Sequence, residues 1–341
     1  MPDRASVAAA LAQVEDPAGR GDVLSTGRAG GLTVKPDGTA GLVLSVDGLE
    51  PGVSERLRAE VEVVLRRVPG VTKTRIILTS EKGSAPAGVA VAQDSAVPGI
   101  RRLVAVASGK GGVGKSTVAA NLAVALGKQG LAVGLLDADI YGPSVPTLLG
   151  LPGRAMLEDG KLLPMVAHGI KALSIGMMMP SDKAVIWRGP MAASAMMQMI
   201  EQANWGVLDV LVIDLPPGTG DIQLTMAQKL KPSGAVVVST PQDLALIDAR
   251  RAIAMFNEVG VPVLGIVENM SQFVCPHCGE RSDIFGHGGA EDLGAGLGVA
   301  FLGAIPLTMT LRAASDAGQP GSVPEFTAIA ERVAAGLGLI G

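Results

Sequence analysis

The sequence predicts an α/β protein whose larger part is a doubly wound, mainly parallel sheet, preceded by a small α/β (α+β) domain. Hydrophobic residues make up 48% of the 341 residues and aromatic residues only 2%, a composition typical of aliphatic strands buried between helices. Short β-branched runs alternate with helical patterns along most of the chain. Because the chain is too long for one small domain, we expect two domains.

Residues 1–82 are predicted to form the small domain. Its helices and strands are expected in the order helix, strand, strand, helix, strand, at Ser6–Val14, Gly31–Lys35, Ala40–Val46, Val53–Arg67 and Lys73–Thr79. The segment Lys35–Gly38 has the composition of a hairpin turn. Residues 83–98 combine small residues with proline and show no period, which indicates a flexible linker. The larger domain is therefore expected to span residues 99–341.

The larger domain contains the alternation that predicts a parallel sheet. Its apolar runs are strand-length, and they lie at Leu103–Ala107, Ala132–Leu136, Ile170–Ile175, Val207–Ile213, Ala235–Thr240, Val263–Glu268 and Ala300–Ile305. In such sheets ligands bind beyond the carboxyl ends of the strands. We therefore expect functional residues directly after these runs.

Composition argues against several functional classes. A net charge of −4 gives no overall attraction to nucleic acid or to an anionic membrane. No apolar run approaches the roughly 18 residues of a membrane span. The residues Met1–Arg4 lack the basic region of an export signal, so a cytoplasmic location is expected. The C-terminal pattern Phe326–Leu337 is not basic, and it is expected to pack on the core rather than on lipid.

The segment Gly109–Thr117 contains a phosphate-binding loop with one additional lysine, Lys110. It follows a predicted strand and opens the predicted helix Ser116–Gln129, as this motif requires. Its glycines let backbone N–H groups face phosphate oxygens, Lys115 would neutralise the β- and γ-phosphates, and the Ser116 hydroxyl would bind Mg²⁺. The predicted ATP-binding residues are Gly109, Lys110, Gly111, Gly112, Val113, Gly114, Lys115, Ser116 and Thr117.

Three aspartates stand at the ends of predicted strands. Asp137 and Asp139 follow one apolar run, and Asp214 follows another. Acidic residues in such positions hold the metal of a phosphate site and orient water. Asp214 leads into the turn-rich segment Leu215–Asp221, which is suited to moving with the γ-phosphate. Asp214 is therefore predicted to be a metal-binding residue followed by a switch.

With Lys110 in the loop and the pair Asp137 and Asp139, the chain resembles the deviant Walker A branch of P-loop ATPases, which includes MinD, partition ATPases and the nitrogenase iron protein. The resemblance implies that Lys110 reaches the partner's phosphates across a homodimer. It also implies that Asp137 lies near Mg²⁺, that Asp139 orients the attacking water, and that Asn269 contacts adenine.

The only two cysteines, Cys275 and Cys278, form a Cys-Pro-His-Cys sequence just past the run Val263–Glu268. Such a pair is open to several interpretations: incidental thiols, a redox dithiol, half of a zinc site, or half of an iron–sulfur site. A [4Fe–4S] cluster or a tetrahedral zinc usually has four protein ligands. A two-fold dimer would double the pair and complete either set.

The combined motifs resemble the Mrp/ApbC family of iron–sulfur cluster carrier ATPases. The matching segments are Ser108–Thr117, Asp137–Ser144, Trp187–Met191, Asp214–Asp221, Ser239–Asp243, Val267–Met270 and Cys275–Cys278. Residues 1–82 resemble the small iron–sulfur assembly domain that often precedes bacterial members, with Glu15–Pro17 as the clearest match and Gly27–Gly30 as a departure.

The resemblance implies a homodimeric ATPase that holds a labile [4Fe–4S] cluster between the Cys275 and Cys278 pairs of two subunits. Its partners would be a cluster assembly scaffold and apo iron–sulfur proteins, with no nucleic acid and no membrane. Two alternatives stay open. One is a MinD- or partition-type ATPase switch with a structural zinc, and the other is a dithiol redox protein.

Overall fold

The computed structural model describes most of the chain. The described ranges are 4–17, 21–34, 38–45, 49, 51–79, 95, 97–139, 142–151, 155–158, 160–178, 189–321 and 323–340. Internal contacts separate the chain into two compact units, Met1–Gly88 and Val89–Gly341. The proposed linker 83–98 lies outside the described residues except at positions 95, 97 and 98, and the proposed turn Lys35–Gly38 is described only at Gly38.

The first unit packs helices on a small mixed sheet. Its described helices and strands are α1 (Arg4–Leu11), β1 (Ala29–Val34), β2 (Thr39–Ser45), α2 (Pro51–Arg66) and β3 (Lys73–Thr79). Strand β2 pairs antiparallel with β1 and parallel with β3. The order of elements agrees with the pattern in the sequence; β3 has the predicted bounds, and the ends of the other four elements are displaced by one to three residues. Buried aliphatic residues of α1, β2 and α2, among them Leu11, Leu44 and Leu57, form its core.

A buried ion pair explains the unexpected Gly27–Gly30 stretch of the first unit. Arg28 Nε donates to Asp16 Oδ1 at 2.7 Å, and the two side chains are 11% and 4% exposed. Arg28 Nη1 also donates to the carbonyl of Ser45 at 3.0 Å. Arg28 therefore places a positive charge beside the buried Asp16 and ties it to the end of β2, whereas an apolar residue would remove that charge from the carboxylate.

The second unit is larger and alternates strands with helices. Its described elements are β4 (Ile100–Ala107), α3 (Lys115–Lys128), β5 (Val133–Asp137), α4 (Val145–Leu148), β6 (Met156–Glu158), β7 (Lys161–Leu163), β8 (Met165–Ala167), β9 (Ile170–Ser174), α5 (Gly189–Gln202), β10 (Leu208–Asp214), α6 (Asp221–Leu230), β11 (Gly234–Ser239), α7 (Asp243–Glu258), β12 (Val263–Val274), β13 (Arg281–Ser282), α8 (Gly289–Leu297), β14 (Phe301–Leu307), α9 (Met309–Asp316) and α10 (Glu325–Gly336). Each strand that the sequence predicts is present, and the short strands β6, β7, β8 and β13 are additional.

The main sheet has the order β13-β12-β11-β4-β10-β5-β9-β8, with β14 paired to β12. Every neighbouring pair from β14 across to β9 is parallel, whereas β8 and β13 are antiparallel additions. The chain leaves β4 in one direction to reach β5 and fills the opposite side later with β11 and β12. The carboxyl end of β4 is thus a topological switch point, where ligands of doubly wound sheets bind.

Both faces of this sheet are buried. Along β4, Val104 and Val106 join the core under α3 and α10, while Leu103, Ala105 and Ala107 join the core under α5, α6 and α7. This alternation confirms a doubly wound sheet covered by helices on each side. The low aromatic content follows from it, because aliphatic side chains fill both narrow layers.

The C-terminal helix α10 packs on the core, as the sequence predicts. Its apolar positions Phe326, Ile329, Ala330, Val333 and Leu337 are each at most 1% exposed. Among the described residues, no helix combines the length and the apolar character that a membrane crossing requires.

Replacing Arg28 with Met is expected to lower the free energy of unfolding of the first unit by about 3 kcal/mol, because it removes the guanidinium that neutralises buried Asp16. Hydrogen exchange of peptides from residues 4–79 measures this locally. The control is Arg66→Met, which removes an exposed pair with Glu62 and should change stability by at most about 0.5 kcal/mol. Equal effects of the two substitutions would contradict the assignment.

Candidate functional site

The phosphate loop lies at the switch point and is held by close backbone contacts. It connects the end of β4 to the first residue of α3, Lys115. Gly112 and Gly114 have φ values of +84° and +81°, a region that favours glycine. A Cβ atom on Gly109 would collide with the backbone of Asp248 in α7, and one on Gly114 would collide with the side-chain amide of Asn269. Packing therefore requires glycine at positions 109 and 114, and the backbone conformation favours glycine at 112 and 114.

Lys115 forms a buried ion pair with Asp214. Its Nζ lies 2.6 Å from Asp214 Oδ1 and 3.3 Å from the hydroxyl oxygen of Ser116. The two charged side chains are 6% and 0% exposed. Burial raises the pKa of Asp214, and the Lys115 ammonium opposes that increase. The structure thus brings together three residues that the sequence assigned to phosphate and metal binding.

One oxygen of Asp214 fits a metal ion. Oδ2 is buried and has no hydrogen-bond partner among the described residues. Such an oxygen is costly unless a cation or an ordered water satisfies it. Mg²⁺ prefers carboxylate, hydroxyl and water oxygens, and Ser116 is the neighbouring hydroxyl. The donor set is therefore suited to Mg²⁺, in agreement with the sequence.

Asp137 is buried at the end of β5, directly beside Asp214 in the parallel register. Its carboxylate accepts hydrogen bonds of 3.1 Å from the backbone N–H groups of Asp139, Ser144 and Val145 and from the Ser174 hydroxyl. Burial, and then the negative charge of Asp214, raise the pKa of Asp137 to about 7. Asp137 therefore organises the loop that leads from β5 to α4, and its role near Mg²⁺ stays a prediction.

A cavity of about 250 Å³ opens above the phosphate loop. It is lined by loop residues, including both lysines, together with Asp139 and Ser144 from the segment after β5 and Pro217 from the segment after β10. The predicted nucleotide residues Lys110, Gly111, Gly112, Gly114, Lys115, Ser116 and Thr117 all line it. Among the aspartates, Asp139 borders this cavity directly, while Asp137 and Asp214 lie beneath its surface.

Asn269 lies behind the loop. Its side chain is 4% exposed, and Nδ2 donates to the carbonyl oxygen of Val113 at 2.9 Å. Asn269 therefore braces the phosphate loop from β12. The adenine contact implied by the resemblance stays a prediction.

Cys275 and Cys278 lie in a tight turn that joins β12 to β13. Phe273 pairs with Ser282 and Val274 with Arg281, while the N–H of Cys275 donates to the carbonyl of Glu280 at 2.9 Å. The N–H of Gly279 donates to the carbonyl of Cys275, also at 2.9 Å. Both thiols are free, with Cys275 half-buried and Cys278 exposed. The turn presents two thiol groups at the surface.

The turn stabilises a thiolate at Cys275. The backbone N–H groups of Cys278 and, to a lesser extent, His277 point at the sulfur and lower the pKa of the Cys275 thiol. A thiolate is the form that binds metal ions. Within the described residues, no group of three or more His, Cys, Asp or Glu side chains forms a metal site. Cys275 and Cys278 are thus two candidate metal ligands at the turn.

Sequence reasoning missed Glu268, the residue before Asn269. It is 1% exposed, and its carboxylate accepts the N–H groups of Gly288 at 3.2 Å and Ala290 at 2.8 Å, at the start of α8. The sequence offered one signal for this residue, since Glu268 is a charged residue at the end of the otherwise apolar run Val263–Glu268. Its partner lies about twenty residues further along the chain, so no local pattern identifies the contact.

The doubly wound sheet, the glycine loop at its switch point and the strand-end aspartates define a P-loop NTPase. Comparisons with known proteins specify the family within this class. Residues 99–335 match the family described as NUBPL iron-transfer P-loop NTPase, and residues 4–77 match the family described as iron-sulfur cluster assembly protein.

Similar proteins agree with both matches. The iron-sulfur cluster carrier protein of Escherichia coli (strain K12) is 53% identical over 251 residues, 71% of this chain and 68% of that protein. That of Deinococcus radiodurans is 46% identical over 314 residues, 91% of this chain and 87% of that protein. A solved nucleotide-binding protein from Archaeoglobus fulgidus, in complex with ADP, is 44% identical with a TM-score of 0.60, covering 67% of this chain and 90% of that protein.

The chain belongs to the family of NUBPL iron-transfer P-loop NTPases. This membership confirms the identification with iron–sulfur cluster carrier ATPases that the loop, the aspartates and the cysteine pair indicated. The protein is a P-loop ATPase with a cluster carrier role.

We expect alkylation of Cys275 in the metal-free protein to remain fast at a pH where free cysteine, with a pKa of about 8.5, is mostly protonated. A lowered pKa keeps the reactive thiolate present to lower pH, and the rate falls only as the pH drops through that lowered value. The pH dependence can be measured as the rate at which iodoacetamide alkylates Cys275 across a range of pH. Peptide mass spectrometry resolves Cys275, and N-acetylcysteine is the reference.

His277→Ala is the control for this titration. It keeps the backbone N–H that points at the sulfur and removes only the ring, so the pH profile of Cys275 should not move. A profile that coincides with N-acetylcysteine, or one that shifts with the ring, would rule out the backbone N–H groups as the cause.

Proposed function

We propose that the protein is a homodimer that carries a labile [4Fe–4S] cluster between the cysteine pairs of its two subunits. It would receive the cluster from an assembly scaffold and deliver it to apo iron–sulfur proteins in the cytoplasm. The observation that carries this proposal is the surface turn in which backbone N–H groups favour the thiolate of Cys275 beside Cys278. The relatives named iron-sulfur cluster carrier proteins support it.

Ligand number supports the dimer. Each turn offers two thiols, whereas a [4Fe–4S] cluster is usually held by four cysteines. A two-fold axis next to the turn would complete the set, since every residue of such an interface occurs twice. An exposed cluster held by surface thiols can be transferred, unlike one enclosed in a core. Lys110, which lines the nucleotide cavity, is the residue proposed to reach the phosphates of the partner.

ATP would bind at the phosphate loop through the residues Gly109–Thr117 and contact Asn269. Lys115 would bind the β- and γ-phosphates, while Ser116, Asp137 and Asp214 would hold Mg²⁺. When bound, Mg²⁺ neutralises phosphate charge and helps to orient the triphosphate. Asp139, which borders the cavity, is proposed to orient the attacking water. The segments after Asp137 and Asp214 would respond to the γ-phosphate and so alter the dimer contact.

Anaerobic reconstitution with iron and sulfide tests the cluster proposal. We expect about one four-iron cluster per dimer in the wild type, and loss of that cluster in Cys275→Ala because half of each cysteine pair is removed. Iron counting, absorbance and sedimentation measure iron content, cluster type and subunit number. His287→Ala, a histidine substitution outside the turn, is the control and should keep the cluster. Binding of stoichiometric zinc instead of iron, or of no metal at all, would contradict the proposal.

A second prediction separates the ATPase from cluster assembly. Lys115→Ala is expected to lower the rate of ATP hydrolysis at least about 100-fold, because the charge that stabilises the phosphates is lost. Cluster assembly on the isolated protein should persist, since Lys115 lies away from the cysteine turn. Lys229→Ala, an exposed lysine at the end of α6, is the matched control with unchanged hydrolysis. Loss of assembly together with hydrolysis in Lys115→Ala would show that the two sites are not separable.

A further inference from the structure

We propose that Glu268, Asn269 and Met270 form a coupling segment through which the phosphate loop controls the exposure of Cys275. The segment lies in β12, between the nucleotide cavity and the cysteine turn. This inference rests on the proposed function, since it specifies how ATP would regulate the cluster site. Glu268 and Met270 act as positioning residues, because neither lines the nucleotide cavity and neither carries a thiol.

The first step is the contact between the segment and the phosphate loop. Asn269 Nδ2 donates to the carbonyl of Val113, and a Cβ on Gly114 would overlap this amide and lie 3.7 Å from Cε of Met270. The Asn269 amide thus packs against the loop backbone where it enters α3, and the end of the Met270 side chain lies beside it. A shift of Val113 or Gly114 on nucleotide binding would therefore displace the Asn269 amide, because a hydrogen bond and close packing join the two groups.

The second step is the attachment of residues 271–287, here called the cysteine loop because they include the cysteine turn, to the same segment. β12 itself leads into the turn at Cys275. The far end of that loop returns to the segment, since the carboxylate of Glu268 accepts the N–H groups of Gly288 and Ala290 at the start of α8. Glu268 is 1% exposed, so these bonds are strong and costly to leave unmade. Both ends of the cysteine loop are thus attached within the coupling segment.

The third step is an interruption in the strand between these contacts and the cysteines. Met270 has a φ of +56°, which is uncommon for a side chain of this size. The pairing of β12 with β14 changes register there, from Asn269 opposite Ile305 to Phe273 opposite Leu307. Such a bulge interrupts the hydrogen-bond ladder and bends the strand. The outer part of β12 can therefore change its direction while the inner part stays in the sheet.

The test measures the alkylation rate of Cys275 in the metal-free, full-length protein. Rates are compared without nucleotide and with a saturating non-hydrolysable ATP analogue and Mg²⁺, and they are resolved by peptide mass spectrometry. In the wild type we expect the two rates to differ at least about fivefold, the lower range of coupling between sites. In Glu268→Gln and in Met270→Gly the ratio should fall to about one, because the first substitution weakens the attachment of the loop to α8 and the second removes the side chain that lies beside Gly114.

Two features keep the readout specific. A purely structural effect would change both rates by the same factor and leave their ratio intact, so only coupling alters the ratio. Saturation with the analogue, checked by titration for each variant, removes differences in affinity. Glycine adopts the left-handed conformation without strain, so Met270→Gly remains informative if Glu268→Gln is unstable. Glu258→Gln, at an exposed glutamate that ends α7, is the matched control and should keep the wild-type ratio.

Loss of the ratio in either variant supports the coupling segment. Equal rates with and without nucleotide in the wild type, or a wild-type ratio in both variants, overturns it. The alkylation assay contains no iron, so the ratio of rates can be interpreted even if cluster reconstitution fails. Conversely, a protein that assembles its cluster but shows no nucleotide effect on Cys275 would keep the proposed carrier function and refute the coupling alone.

Discussion

The parallel register of three adjacent strands decides where the phosphate site lies. In β10, Asp214 stands opposite Val106 of β4 on one side and Asp137 of β5 on the other. Parallel strands end at one edge, so the phosphate loop after β4 and both carboxylates meet there without help from long loops. The backbone hydrogen bonds of the sheet therefore bring the phosphate loop and both carboxylates to one edge.

Buried groups of both charges meet at this edge of the sheet. Two buried carboxylates at neighbouring strand ends repel, and this repulsion adds to burial in raising the pKa of Asp137 to about 7. Lys115 offsets the charge of Asp214 through a contact of 2.6 Å. A phosphate at the loop would compete with Asp214 for this lysine, and a magnesium ion would take the place of the ammonium beside the carboxylate. Ligand binding would thus exchange the positive charge beside Asp214.

The thiol pKa of the cysteine turn depends on groups within the turn, whereas the position of the turn depends on contacts elsewhere in β12. Its own backbone N–H groups, first that of Cys278 and then that of His277, lower the pKa of the Cys275 thiol and so favour its thiolate. Its location relative to the nucleotide depends instead on Glu268 and Asn269, which connect β12 to α8 and to the phosphate loop. The cysteine turn is thereby attached to the phosphate loop through β12.

The fold class, the order of the main strands along the chain, the phosphate loop and the strand-end aspartates can all be predicted from the sequence, because periodicity and motif spacing are local properties of the chain. Three-residue strands such as β6 and β8 cannot, since three residues are too few to show a period. Tertiary packing alone pairs Arg28 with Asp16, Asn269 with Val113, and Glu268 with the start of α8. Each of these contacts joins residues separated along the chain, and their pairing depends on how the elements pack, which no local pattern specifies.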